Sequence, residues 1–260
     1  MKPLLSYLGS SIGRKTLVAV TGLLLMLFVL GHLIGNLQVF LGPDWINSYA
    51  HKLQALGPML WVIRLGLLAV VATHILATLA LVLENRKARP ARYAVAAHRA
   101  STAASRSMAI SGLILLCFII FHLLHFTVRS VPGHGYNESI VMAGGQALPA
   151  HVELGYHWGI GKLEKLDQPI PHAHNTHGMM IAGFSYWYIT AFYLLGMFLL
   201  CMHLSHGAAS FLQTLGLRNE TVKCGMTCGA RLFAWAIFAG YAAIPLAVFL
   251  GLLKPVALAH

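Results

Sequence analysis

Five apolar runs constrain this chain more than anything else in it. Residues 17–40, 60–83, 108–128, 184–211 and 232–253 are nearly free of charge and each is long enough to cross a bilayer. At a rise of 1.5 Å per residue, about 20 residues span a hydrocarbon layer of about 30 Å. Inside that layer each backbone N–H and C=O must be satisfied within its own segment, which selects the helix. The pattern predicts an all-α membrane protein: one integral-membrane domain over 1–260, with five transmembrane helices of which the first four form a bundle. Composition agrees, at 58% hydrophobic and 10% charged. Met1 to Lys15 is basic, but the run after it is too long for a signal-peptide core and lacks a small-residue cleavage motif, so a permanent first span is expected. Phe184, Tyr186, Trp187 and Tyr188 read as an interfacial aromatic belt opening the fourth span. Pro245 is expected to kink the fifth.

The net charge of +11 does not form one basic face, which argues against nucleic acid as a partner. The basic residues gather between the spans instead. Lys2, Arg14, Lys15, Arg86, Lys87, Arg89, Arg92, Arg99, Arg106, Arg218, Lys223 and Arg231 fall on one side. Lys52, Arg64, Arg129, Lys162, Lys165 and Lys254 fall on the other. The richer side faces the cytoplasm by the positive-inside rule, so the N-terminus is expected there and the C-terminus outside. Cys117 and Cys201 lie within spans, and Cys224 and Cys228 in a short cytoplasmic loop, where neither a disulfide framework nor a metal site is expected. The long outer connection over 129–183 contains Pro132, Pro149, Pro169 and Pro171. Loops of this length without clear secondary structure are usually functional covers or disordered segments, and Tyr156, His157 and Trp158 are candidates to lie over the outer surface. Its His172, His174 and His177 read as solvated loop residues rather than metal ligands.

Histidine is costly in hydrocarbon and is normally retained there for function. His32, His74, His122 and His203 each fall on a different one of the first four spans. With the orientation above, His32 and His122 lie in the outer halves of their helices, and His74 and His203 in the inner halves. Two imidazoles at one depth suit a six-coordinate haem, and bundles hold cofactors between facing helices. Two layers, roughly 10–18 Å apart from the helical rise, would form an electron path. His125 and His206 follow His122 and His203 by three residues and share their helix faces, so they rival them as ligands. The deeper residues, His122 and His203, are favoured. Nearer the helix ends, His125 and His206 suit contact with propionates, quinone or water. Gly31 and Gly35 flank His32 and leave room for a flat ring or a neighbouring helix. Against this stands a plainer reading, in which each imidazole only bonds a neighbour within the bundle. It fits one histidine better than four sorted by depth.

The stretches SSIGRKTLVAVTGLLLMLFVLGHLIGNLQVF (10–40), AVVATHILATLALVLENRKARP (69–90), ISGLILLCFIIFHLLHF (110–126) and FLLCMHLSHGAASFLQTLGL (198–217) resemble the cytochrome b subunit of succinate dehydrogenase and fumarate reductase. The likeness is to the five-helix, single-subunit, di-haem type and covers all five spans. It implies two haem b groups with His32, His74, His122 and His203 as axial ligands, paired as above. It also implies a flavoprotein subunit and an iron–sulfur subunit on the cytoplasmic side, in a complex that admits higher oligomers. Succinate chemistry would belong to those partners. This chain would serve the respiratory chain and tricarboxylic acid cycle as anchor and electron carrier in a bacterial cytoplasmic (inner) membrane, with menaquinone or another quinone as electron partner.

Near the cytoplasmic surface Ser11, Arg14, Lys15 and His206 are candidates for a quinone site. A site near the outer haem, under the long connection, is the other choice. Arg14, Lys15 and Arg99 also suit haem propionates or a docking surface, or simply set topology. The chain departs from the family at Cys201, where some members carry a carboxylate two residues before the fourth ligand, and no Asp or Glu lies inside a span. That puts a carboxylate proton route in doubt. Two rival functions are the haem b anchor of a hydrogenase or formate dehydrogenase, and a histidine-lined transporter or channel.

Overall fold

The computed structural model describes residues 2–88, 102–131, 141–143, 146–148, 154–158, 163–170, 175–217 and 219–254. The helices are α1 (Lys2–Gly9), α2 (Ser11–Leu37), α3 (Pro43–Gln54), α4 (Pro58–Lys87), α5 (Ala103–His122), α6 (Thr176–Phe184), α7 (Trp187–Thr214) and α8 (Lys223–Phe249). A tight 3₁₀ turn over Gln38–Leu41 extends α2, and a wide π turn over Leu123–Val128 extends α5. With those extensions, five segments are long and apolar enough to span a bilayer: Ser11–Leu41, Pro58–Lys87, Ala103–Val128, Trp187–Thr214 and Lys223–Phe249. The chain is an all-α, multi-pass membrane protein.

Exposure supports the lipid setting. Along α4, Trp61, Leu65, Leu68, Leu76, Leu79 and Leu83 are each more than half exposed, and only Ala77 is buried. Water would not tolerate that much contiguous apolar surface, whereas lipid tails cover it without penalty.

Four details differ from the sequence reading. The fourth span opens at Trp187, and Phe184 ends the separate helix α6, because the chain breaks at Ser185 and Tyr186. Cys224 and Cys228 are in the first turns of α8, not in a loop. The connection after Arg129 is not structureless, since β1 (Val141–Ala143) pairs antiparallel with β2 (Gln146–Leu148), and β3 (Leu154–Trp158) with β4 (Leu163–Ile170). Tyr156, His157 and Trp158 lie on β3. The chain between the first two spans folds into α3, which starts with Pro43 after Gly42 at φ 108°, a backbone conformation suited to glycine. Asp44 in its first turn and Lys52 in its last complement the helix dipole. Helix α8 runs through Pro245 to Phe249.

The chain divides into two compact units. The first comprises Met1–Leu30, Val62–Leu115 and Phe198–Phe238, and the second Gly31–Trp61, Leu116–Met197 and Ala239–His260. The first unit packs largely on small residues, including Ala19, Ala77, Ala104, Ala208, Ala230 and Ala234. Small side chains let helix backbones approach where no hydrophobic effect drives association. The second packs on larger groups, among them Phe118, Phe184, Tyr193, Met180 and Ile46. In it, buried Asn47 of α3 donates to Asn175 Oδ1 at 3.2 Å and accepts from the His177 N–H at 3.0 Å. Asn175 in turn caps α6 by accepting from the Gly178 N–H at 2.9 Å. One asparagine thereby fastens α3 to the start of α6.

Candidate functional site

Each unit gathers one of the two expected histidine pairs. In the second, the His32 and His122 ring centroids stand 5.8 Å apart with their planes nearly perpendicular, at 82°. Two imidazole nitrogens on opposite sides of one metal ion lie about 4 Å apart, twice a metal–imidazole bond of about 2 Å, which brings the ring centres to about 6 Å. The observed centroid spacing is of that order, with the ring planes 82° apart. Asn36, one turn after His32, donates to the His32 carbonyl at 2.7 Å and lies against the ring. Tyr241 of α8 comes within 6.2 Å of the His32 ring, so the fifth span also contributes to this site. Gly31 faces open space, while Gly35 seats the Tyr49 ring: a Cβ there would meet it at 2.7 Å.

His122 and His125 share one partner. The Tyr193 hydroxyl lies 3.3 Å from His122 Nδ1 and 2.8 Å from His125 Nδ1. Rings surround that tyrosine, with Phe184 at 4.9 Å, Phe118 at 5.1 Å and Phe126 at 5.8 Å between centroids. His125 is fully buried, so of the contacts suited to it, propionates, quinone or water, the fold removes water. The π turn keeps its imidazole inside, and α6 covers it: a Cβ on Gly183 would stand 3.3 Å from its Cε1.

In the first unit, His203 is within electrostatic reach of both His74 and His206. A hydroxyl on a neighbouring helix backs each of the deeper pair. Thr21 Oγ1 of α2 lies 3.0 Å from His74 Nδ1, and Ser111 Oγ of α5 lies 3.3 Å from His203 Nδ1. Both hydroxyls are buried. Glycines follow them in sequence, and added Cβ atoms on Gly22 and Gly112 would touch the two rings at 3.4 and 3.5 Å. These ring edges rest on bare backbone.

The charged candidates separate. Arg14 pairs with Glu84 of α4 at 3.0 Å, so this guanidinium is engaged by a carboxylate of the chain itself. Ser11 and Lys15 are exposed, and His206 is half-buried beside the His203 site. Cys201 is buried. Arg99, His172 and His174 lie outside the described residues. His177 is not a solvated loop residue: it sits buried in α6, where desolvation pushes its pKa below the usual imidazole value.

Tyr193, Thr21, Ser111, Asn36 and Tyr241 were not expected. Hydroxyls in apolar helices usually bond their own helix, so sequence gives no sign of a partner on another one. Among the described residues, no group of three or more His, Cys, Asp or Glu side chains gathers around one point. Paired imidazoles instead suit an iron whose other ligands come with its macrocycle. No family model matches the chain, and comparison with curated proteins and with solved structures finds no match either.

Proposed function

We propose that this chain is the membrane anchor and di-haem electron-transfer subunit of a succinate:quinone oxidoreductase. His32 with His122 would hold one haem b, and His74 with His203 the other. Such bis-imidazole haems carry single electrons and leave no iron position for oxygen. The observation that carries the reading is the His32–His122 spacing of 5.8 Å between two different spans. The hydroxyls at His74 and His203 add to it, because ligand imidazoles are generally oriented through their second nitrogen.

The chain's own residues do the positioning. Tyr193 and the phenylalanines around it exclude water from the His122 side. Thr21, Ser111, Gly22 and Gly112 fix the ring planes on the His74 and His203 side. The Arg14–Glu84 pair ties the start of α2 to the end of α4, on the face that would meet the iron–sulfur and flavoprotein subunits. The balance of basic residues supports placing that face in the cytoplasm, in a bacterial inner membrane. Quinone would exchange electrons at one of the two haem sites.

Affinity purification of the tagged chain from its native membrane tests the proposal. Co-purification of a flavin-containing subunit that oxidises succinate, together with a reduced-minus-oxidised spectrum of haem b, is expected. Haem b with a partner that oxidises hydrogen or formate instead would replace the function with the rival anchor. A chain without haem absorbance would favour the transporter reading.

A further inference from the structure

We infer that Thr21 and Ser111 are matched positioning residues: each hydroxyl accepts the Nδ1–H of a facing imidazole and leaves Nε2 of His74 and His203 bare for iron. The inference rests on the haem reading and assigns the residues that prepare one of its sites. A hydroxyl has one proton to give. Thr21 donates it to the Leu17 carbonyl at 2.6 Å, with the Val18 carbonyl at 3.3 Å. A carbonyl has no proton to return, so the Thr21 oxygen meets His74 Nδ1 as an acceptor, and Nδ1 carries the hydrogen. Ser111 repeats the arrangement, donating to the Met108 carbonyl at 3.2 Å and meeting His203 Nδ1 at 3.3 Å. With Nδ1 protonated, a neutral imidazole has its lone pair on Nε2.

The sequence carries the device twice. AVTGLLLMLFVLGH (19–32) and AISGLILLCFIIFH (109–122) align without a gap. They match at Ala19 and Ala109, Gly22 and Gly112, Leu23 and Leu113, Leu25 and Leu115, Phe28 and Phe118, and His32 and His122. Thr21 aligns with Ser111. Each copy therefore supplies a hydroxyl and a glycine to one histidine pair, and a histidine to the other pair.

The test uses Thr21→Val, which keeps shape and removes the hydroxyl, Thr21→Ser as the conservative rescue, and Ser111→Ala. Redox titration of the purified chain follows each haem. Losing the Nδ1–H bond makes the imidazole a poorer donor, so the ferric form is less favoured and the midpoint potential rises. Outer-shell changes cost about tenfold or more in metal affinity, and a tenfold loss borne by the ferric form alone is about 59 mV in a one-electron couple. Thr21→Val is expected to raise the potential of the haem held by His74 and His203 by about that much, and Ser111→Ala by less, because its bonds are longer. Thr21→Ser should restore the wild-type value, and the other haem should not move. An unchanged potential in Thr21→Val with both haems bound overturns the inference, as does a Thr21→Ser protein that behaves like valine. If the wild-type chain carries no haem, the haem reading fails separately. Nitrogen-15 NMR of the histidine-labelled protein then reads the tautomers directly: Nδ1–H at His74 and His203 supports the inference, and Nε2–H overturns it.

Discussion

Replacing Tyr193 by phenylalanine removes a single oxygen from the interior of the second unit. The ring keeps its contacts with Phe184, Phe118 and Phe126, so packing is preserved. The change deletes the 2.8 Å bond to the fully buried His125 and the longer 3.3 Å bond to His122. Loss of a buried bond to a polar group that stays behind costs about 1–3 kcal/mol. At about 2–4 °C per kcal/mol for a chain of this size, the melting temperature in detergent should fall by about 2–12 °C. Removing both members by apolar groups of similar shape is much cheaper than removing one. The double variant Tyr193→Phe, His125→Phe should therefore melt above the sum of the two single losses. Light-scattering or fluorescence melts of the four proteins complete the cycle. Additive losses, or a Tyr193→Phe protein as stable as wild type, would show that the hydroxyl bridges nothing of consequence.

Gly196 packs against Phe118, and a Cβ there would stand 2.5 Å from that ring. Gly196→Ala should cost about 1–3 kcal/mol through overpacking, and Phe118→Leu in the same protein should relieve part of the loss in a thermal melt. The Arg14–Glu84 pair is partly exposed at both ends, so Glu84→Gln should cost at most about 1 kcal/mol, and high salt should shrink the difference from wild type. Burial lowers the pKa of His177 in the fold, so the unfolded chain binds the proton more readily. Stability is then complete above the unfolded value of about 6.5 and declines as pH falls below it. His177→Gln should flatten that part of a melting-temperature profile.

Much of the fold was legible because hydrocarbon thickness leaves a direct mark on sequence. Runs such as 60–83 need no tertiary context to be read as spans. Depth along those runs also brought His32 to His122, since both imidazoles lie late in helices that run the same way. The rest depended on neighbours that are distant in sequence. Nothing local announces that Thr21 backs His74, or that Tyr193 sits between two histidines on α5 and its π extension. The burial of His125 was not legible, because its distance from a helix end left water among its possible contacts, whereas α6, folded from a stretch assigned to a loop, covers it. Helix α3 escaped notice because it is short and polar, held by Asn47 and a glycine–proline start rather than by an apolar stripe.

The central claim is that two histidine pairs hold two haems, and haem content of paired variants measures it most directly. Pyridine haemochrome analysis and reduced-minus-oxidised spectra of the purified chain should give two haem b groups in the wild type. His32→Ala and His122→Ala should each lose the same one, and His74→Ala and His203→Ala the other. A His74→Ala, His203→Ala double variant that keeps both haems, or a wild-type chain that binds none, would contradict the account.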